Sequence, residues 1–246
     1  PKVAKSWDLV SELCNGTINS IRNQTNPAYR IYLICHKKPM DFETGALTEV
    51  INVDFKIPST KDEMIQDKYK KVKRGLVETK KFINTSSESN HDAVMLVDAD
   101  DRIHQGLVQW VQDRPDTDGW YVDTGYVYPY GRNFIFTSFV LGSSFYRVCG
   151  SSSIIYVDQK DLPSHMKDES TIFSALSSGH HHIVESMEKL GRKLRPLPFP
   201  GACYVTDVED NWSEVSWTKW KSKRTFIRQC LSIRPLLSSY RDKFYL

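Results

Sequence analysis

Leu9, Val10, Leu13, Cys14, Ile18 and Ile21 recur at helical spacing and give one apolar face. Ser6 can cap this helix at Trp7, and Gln24 to Pro27 ends it. Arg30 to Cys35 is a short apolar run rich in strand formers, so it predicts a buried strand. Glu49 to Ile57 predicts a second strand, closed by Pro58. Asp62 to about Ile83 predicts a helix with Ile65, Tyr69, Val72 and Leu76 on one face. Asn84 to Asn90 is polar and Ser-rich, a loop. Ala93 to Val97 is another buried strand.

Buried strands alternating with amphipathic helices predict an α/β fold, a mostly parallel sheet flanked by helices. After Asp101 the texture changes. Gly106 to Gln112 is a short helix, and Gly119 to Phe145 is rich in Tyr, Phe, Val and Thr with Gly and Pro breaks, which predicts antiparallel strands. Gly150 to Val157 is a Ser-rich turn running into a strand, and Pro163 to Ser178 a loop or weak helix. Ile183 to Leu190 is a helix stopped by Gly191. Leu194 to Pro200 and Ala202 to Val208 are short extended segments. The expected organisation is a body over 1–210, in halves 1–101 and 102–210, followed by a basic aromatic tail over 211–246.

Composition sets outer bounds. A chain of 246 residues, 40% hydrophobic and 26% charged, is neither disordered nor collagen-like nor a coiled coil. No apolar run approaches the roughly 20 residues of a membrane span, and Pro1 to Val10 has no signal-peptide character. The five cysteines, Cys14, Cys35, Cys149, Cys203 and Cys230, lack zinc spacing and read as buried free thiols of a reducing, cytoplasmic setting. Asn15, Asn23, Asn84 and Asn211 begin N-x-S/T triplets, which are common by chance.

Asp98-Ala99-Asp100-Asp101 is the most informative stretch. A hydrophobic strand that delivers three carboxylates in four residues needs compensation, because like charges this close raise one another's pKa unless a cation neutralises them. Hard divalent cations take such oxygen ligands, and ligands of open α/β sheets bind at the carboxyl ends of the strands. The alternative is a solvated acidic turn capping the next helix.

Three segments, in order, resemble the family 2 glycosyltransferases of the GT-A fold. Ser20 to Pro27 with the strand Ile31 to Cys35 resembles that family's S-I-x-x-Q-T-x-P helix end and second strand. Val94 to Asp101 resembles its D-x-D strand, and Gly191 to Pro198 its late G-x-x-x-x-x-L-P segment. The resemblance implies a GT-A, Rossmann-like sheet over 1–101 that binds a nucleotide-sugar, usually a UDP-sugar, and an acceptor-side half over 102–210. It implies a divalent cation, Mn2+ or Mg2+, with Asp98 near the ribose or sugar and Asp100 on the metal. Asp101 supports the pair or caps the next helix. A metal clamps the charge that develops on a pyrophosphate leaving group.

The helix from Lys61 to Asn84 is rich in Lys, Lys68 among them. By the resemblance, Lys73 and Arg74 are expected on the donor phosphates. The alternative is a solvated face with i,i+4 pairs such as Arg74–Glu78. Lys37 and Lys38 leave the second strand's carboxyl end and can serve the same role. There the chain departs from the family, which has acidic residues at that point. Here they are Cys35-His36-Lys37-Lys38, and Asp54 on the next strand is the candidate for the base contact.

A second departure is that Pro1 to Lys5 is too short for the family's first strand. An inverting transfer also needs a base for the acceptor proton. The family's acidic pair is replaced by His180-His181-His182, so His181 or His182 is a candidate base, with Asp168 and Glu169 as alternatives. Three histidines in a row also suit a metal site or a polar helix start. The family's last metal element, resembling Y-x-x-H-x-x-N-x-S, keeps Asn211 and Ser213 but lacks the His, for which Asp207 is the candidate substitute. Gly142 to Ser144 and Gly150 to Ser153 are acceptor-side candidates or simply tight turns. Trp120, Tyr126, Tyr128 and Tyr130 can floor a sugar site or pack in a sheet.

The expected activity is therefore a metal-dependent, inverting transfer of a sugar to an acceptor hydroxyl, saccharide or lipid-linked. A degenerate protein that binds nucleotide or sugar without turnover and a nucleotidyltransferase are the alternatives, although no early Gly-rich phosphate loop supports the latter. The net charge of +3 is too small to point to nucleic acid. It is unevenly spread: Asn211 to Leu246 holds eight basic and two acidic residues, a balance of +6 that leaves −3 for the rest. Trp212, Trp217, Trp220, Phe226, Ile227, Leu231, Leu236 and Leu237 lie among those charges. Such a tail suits peripheral contact with an anionic membrane, or packing over the donor phosphates.

Overall fold

The computed structural model describes residues 6–85, 92–208 and 223–246. The chain is a mixed α/β protein in which sheets of parallel and antiparallel strands are flanked by helices. Ser6 caps α1 (Trp7–Arg22), its hydroxyl accepting from the Leu9 N–H at 3.2 Å. β1 (Ile31–Cys35) and β2 (Thr48–Asn52) form a two-stranded parallel sheet. β2 stops five residues short of the sequence expectation. α2 (Lys61–Thr85) follows and packs on β1, with Gly75 beside Ile34.

β3 (Asp92–Met95) departs from the expected parallel arrangement. It pairs antiparallel with β8 (Ser153–Val157), which also pairs antiparallel with β5 (Gly119–Tyr121), and β5 pairs parallel with β9 (Arg195–Pro196). The physical reason lies in β8, whose five residues are all buried. Its Ile155 and Val157 face a core with Leu76 of α2, Ile172 and Leu176 of α4 (Thr171–Ser177), and Ile183 and Met187 of α5 (Ile183–Lys189). Ile154 and Tyr156 face a second core with Trp120, Phe145, Ile103 and Leu107. A period of two with apolar cover on both faces makes β8 the central strand. Each such side chain contributes about 1.5–3 kcal/mol on burial. An antiparallel neighbour satisfies the backbone of β3 as well as a parallel one.

The third sheet has the order β11-β7-β6-β10-β4. β6 (Tyr126–Pro129) and β7 (Phe134–Thr137) are antiparallel, as the sequence predicts. β10 (Ala202–Thr206) lies between β6 and β4 (Arg102–Ile103), parallel to the first and antiparallel to the second. α3 (Leu107–Gln112) follows β4. The described part of the expected tail is built into this body. α6 (Lys223–Ser232) packs on the turn Ser138–Leu141, β11 (Ile233–Pro235) adds an edge strand to β7, and α7 (Ser238–Phe244) buries Phe244. The segment 211–222, with Trp212, Trp217 and Trp220, lies outside the described residues, as do Pro1 to Lys5.

Cys14, Cys149 and Cys203 are buried free thiols, whereas Cys35 is half-buried and Cys230 exposed. Among the described residues, no helix is long and apolar enough to cross a membrane.

Candidate functional site

The acidic turn follows β3, whose neighbours Val94 and Leu96 lean on the same core as Leu76 of α2. Asp101 is buried and accepts from three donors: the Ser151 hydroxyl at 2.6 Å, the Cys149 thiol at 3.2 Å and the Val205 N–H of β10 at 3.3 Å. Ser151 Oγ in turn accepts from the Asp98 N–H at 2.8 Å. One serine thus joins both ends of the turn. Burial, aided by the charges of Asp100 and Asp98, pushes the Asp101 carboxyl well above the usual range, against the pull of Ser151 and Cys149. Asp101 is thus held inside the body by these three donors.

Arg102 fixes the turn from the other side. Its buried guanidinium donates to the carbonyls of Asp100 and Asp101 and to Leu13 O and Thr17 Oγ1 of α1. A Cβ on Gly16 would overlap that guanidinium, so the glycine in mid-helix makes the room.

Asp98 and Asp100, both half-buried, are the other two carboxylates of the turn. Burial and the Asp98 charge push the Asp100 carboxyl up to about 6. Lys68 Nζ donates to Asp98 Oδ1 at 2.6 Å. Burial works against its charge, but Asp98, by charge and hydrogen bond, holds the ammonium above its ordinary value. Gly150 closes the far side of Asp98, where a Cβ would overlap Oδ2. His180 feels the charges of Lys68 and Asp98. It is half-buried, and burial with the Lys68 charge lowers its pKa while Asp98 pulls the other way. Gly179, at φ +93°, turns the chain into the His180–His182 turn, and Arg147 holds that turn through His181 O at 3.4 Å and an ion pair with Glu185.

The structure assembles part of the expected set. Lys73 is buried with its Nζ 4.8 Å from the centroid of Phe173, and Arg74 pairs with Glu78 at 2.9 Å, as its i,i+4 spacing allows. Lys68, not these two, meets Asp98. It lies four residues before Val72 and eight before Leu76, on the face of α2 that leads to β3. Lys37 sits over Trp7 and Lys38 over Phe42. His36 is bound to Asp67 of α2 at 2.7 Å, and Lys71 to the same carboxylate at 2.5 Å, so the histidine after β1 is anchored to the helix. Asp54 is exposed, beyond the end of β2.

His181 and His182 are exposed, and it is His180 that feels Lys68 and Asp98. Asp168 accepts the N–H groups of Ser164 and His165, both at 3.0 Å, and closes a turn, while Glu169 is exposed. Asp207 is exposed and left-handed at φ +59°. Asn211 and Ser213 lie outside the described residues. Trp120 is buried in the core and Tyr126 packs on Tyr240 and Phe244, which is packing rather than a sugar floor.

Among the described residues, no three His, Cys, Asp or Glu side chains group to hold a metal ion, so Asp98, Asp100 and Asp207 do not form a cage. The donor set of Asp98 and Asp100 nevertheless suits a hard divalent cation bound by two carboxylates and completed by phosphate oxygens. Compared with protein-family models, curated proteins and solved structures, the chain matches nothing.

Proposed function

We propose that the protein is a glycosyltransferase of the GT-A type that moves a sugar from a UDP-sugar to an acceptor hydroxyl with inversion. One observation carries this reading: the carboxylates of Asp98 and Asp100 crowd one turn at the end of β3, where the Lys68 ammonium meets Asp98 at 2.6 Å. Asp98 and Asp100 would hold Mn2+ or Mg2+, which when bound neutralises charge on the leaving diphosphate. Lys68 adds a positive charge for the same phosphates. The acceptor oxygen bonds to the anomeric carbon, the bond from that carbon to the diphosphate oxygen breaks, and the acceptor proton passes to His180. A lowered pKa keeps the imidazole neutral and able to accept it. A second reading, binding without turnover, draws support from Lys68, which already neutralises Asp98.

The test is nucleotide release from a panel of UDP- and GDP-sugars with manganese and a broad set of saccharide and lipid-linked acceptors. Asp100→Ala should abolish release, and His180→Ala should lower kcat by about 10²–10⁴-fold. Full activity in Asp100→Ala sinks the metal-dependent transfer. Nucleotide binding with no release on any acceptor favours the second reading.

A further inference from the structure

Helix α6 is inside out. A surface helix ordinarily turns its apolar stripe to the core and its polar face to water. In α6 the buried residues are Gln229 and Ser232, the latter fully, while Ile227 is 55% and Leu231 60% exposed. The inward face is held by polar fit: Arg228 lies against Gly142, where a Cβ would overlap its guanidinium. Ile233 of β11 and Leu237, which follow the helix in the chain, are exposed as well. Phe139, on the turn that α6 packs against, is 57% exposed.

The charge along this run is of one sign. Lys223, Arg224 and Arg234 are exposed around the apolar residues, and the run Lys223 to Pro235 contains no Asp or Glu. An apolar protein partner would be served by Ile227 and Leu231 alone and gains nothing from an unrelieved cluster of cations. An anionic bilayer uses both features: the acyl boundary takes the apolar side chains while the headgroups meet the cations.

We propose that α6 and β11 form a docking face for an anionic membrane surface, with Ile227, Leu231, Ile233 and Leu237 entering the headgroup boundary and Lys223, Arg224 and Arg234 meeting phosphate. The placement is independent of the transfer chemistry, and it holds whether or not the acidic site turns over a sugar.

The full chain should be spun with phosphatidylcholine vesicles made with and without phosphatidylglycerol, at low and high salt. Binding is expected only with the anionic lipid and weakens with salt. The double variant Arg224→Glu/Arg234→Glu should lose at least about tenfold in partition, since each cation near the surface contributes about 1 kcal/mol. The double variant Ile227→Ser/Leu231→Ser should also lose about tenfold while keeping the wild-type melting temperature, because both side chains are exposed. Equal binding to neutral and anionic vesicles overturns the proposal, as does no binding to either. A wild-type oligomer that the Ile227→Ser/Leu231→Ser variant dissolves, without vesicle binding, assigns the face to a second copy and overturns it as well.

Discussion

Lys68 Nζ lies 2.6 Å from Asp98 Oδ1, which ties the first half of α2 to the end of the strand that carries the acidic turn. The pair is about half exposed on the lysine side, so its value to stability is modest. Its consequence is electrostatic. It places one cation among carboxylates that otherwise repel.

Removing that cation should therefore be felt in ligand binding before it is felt in folding. Lys68→Ala is expected to weaken UDP binding about tenfold, with a melting temperature close to wild type. Lys68→Arg should recover part of the affinity. Isothermal titration calorimetry with UDP reads both, and unchanged affinity in Lys68→Ala would remove Lys68 from the phosphate site.

Gly150 sets the position of the Asp98 carboxylate from behind. A methyl group there must displace it, since the overlap is with the oxygen itself. Gly150→Ala should keep the fold by circular dichroism and lower nucleotide affinity by at least as much as Lys68→Ala. A variant indistinguishable from wild type in UDP titration would show that the Asp98 position is not critical.

Asp101 is a matter of stability. Asp101→Ala strands three buried donors, from Ser151, Cys149 and Val205, and each unmet group costs about 1–3 kcal/mol. Asp101→Asn keeps an acceptor and should cost clearly less. Urea denaturation ranks the two variants, and equal losses would contradict the hydrogen-bond account.

His104 supplies a pH dependence with a definite sign. Burial, with Lys243 adding to it, lowers its pKa from 6.5 to about 4. Its Nδ1 accepts the Gly106 N–H at 3.0 Å, and its ring packs on Phe199 and Phe244. Between about pH 6.5 and 4 the unfolded chain holds the proton and the folded one does not, so stability falls as pH drops through that window. The slope from this group is at most about 1.4 kcal/mol per pH unit. His104→Phe should flatten it, and identical slopes for the two proteins in urea titrations would refute the assignment.

Much of the local structure was legible in the chain. Helical spacing located α1 and α2, Ser6 marked a cap, and the apolar runs marked β1 and β3, because 3.6- and 2-residue periods report which side chains must leave water. The D-x-D turn was also legible as chemistry, since three crowded carboxylates after an apolar strand demand compensation whatever the fold. The ends of β2 were not, because strand length depends on how far the partner extends.

Partners across space were settled only by tertiary structure. Periodicity gives a strand's faces but not its neighbour, so the antiparallel seat of β3 beside the fully buried β8 was invisible until the layers closed. Lys68 and Lys73 are alike as residues on one helix. Packing of Val72 and Leu76 against the core turned the first toward Asp98, while the second lies against Phe173. The half-buried seat of His180, beside its exposed neighbours His181 and His182, arose in the same way, from Gly179 and the Arg147 contact. The sequence by itself determined that apolar strands and amphipathic helices would form and that acidic groups would crowd one turn. Which cation met those acids, and which face of α6 stayed in water, depended on long-range packing that no local pattern encodes.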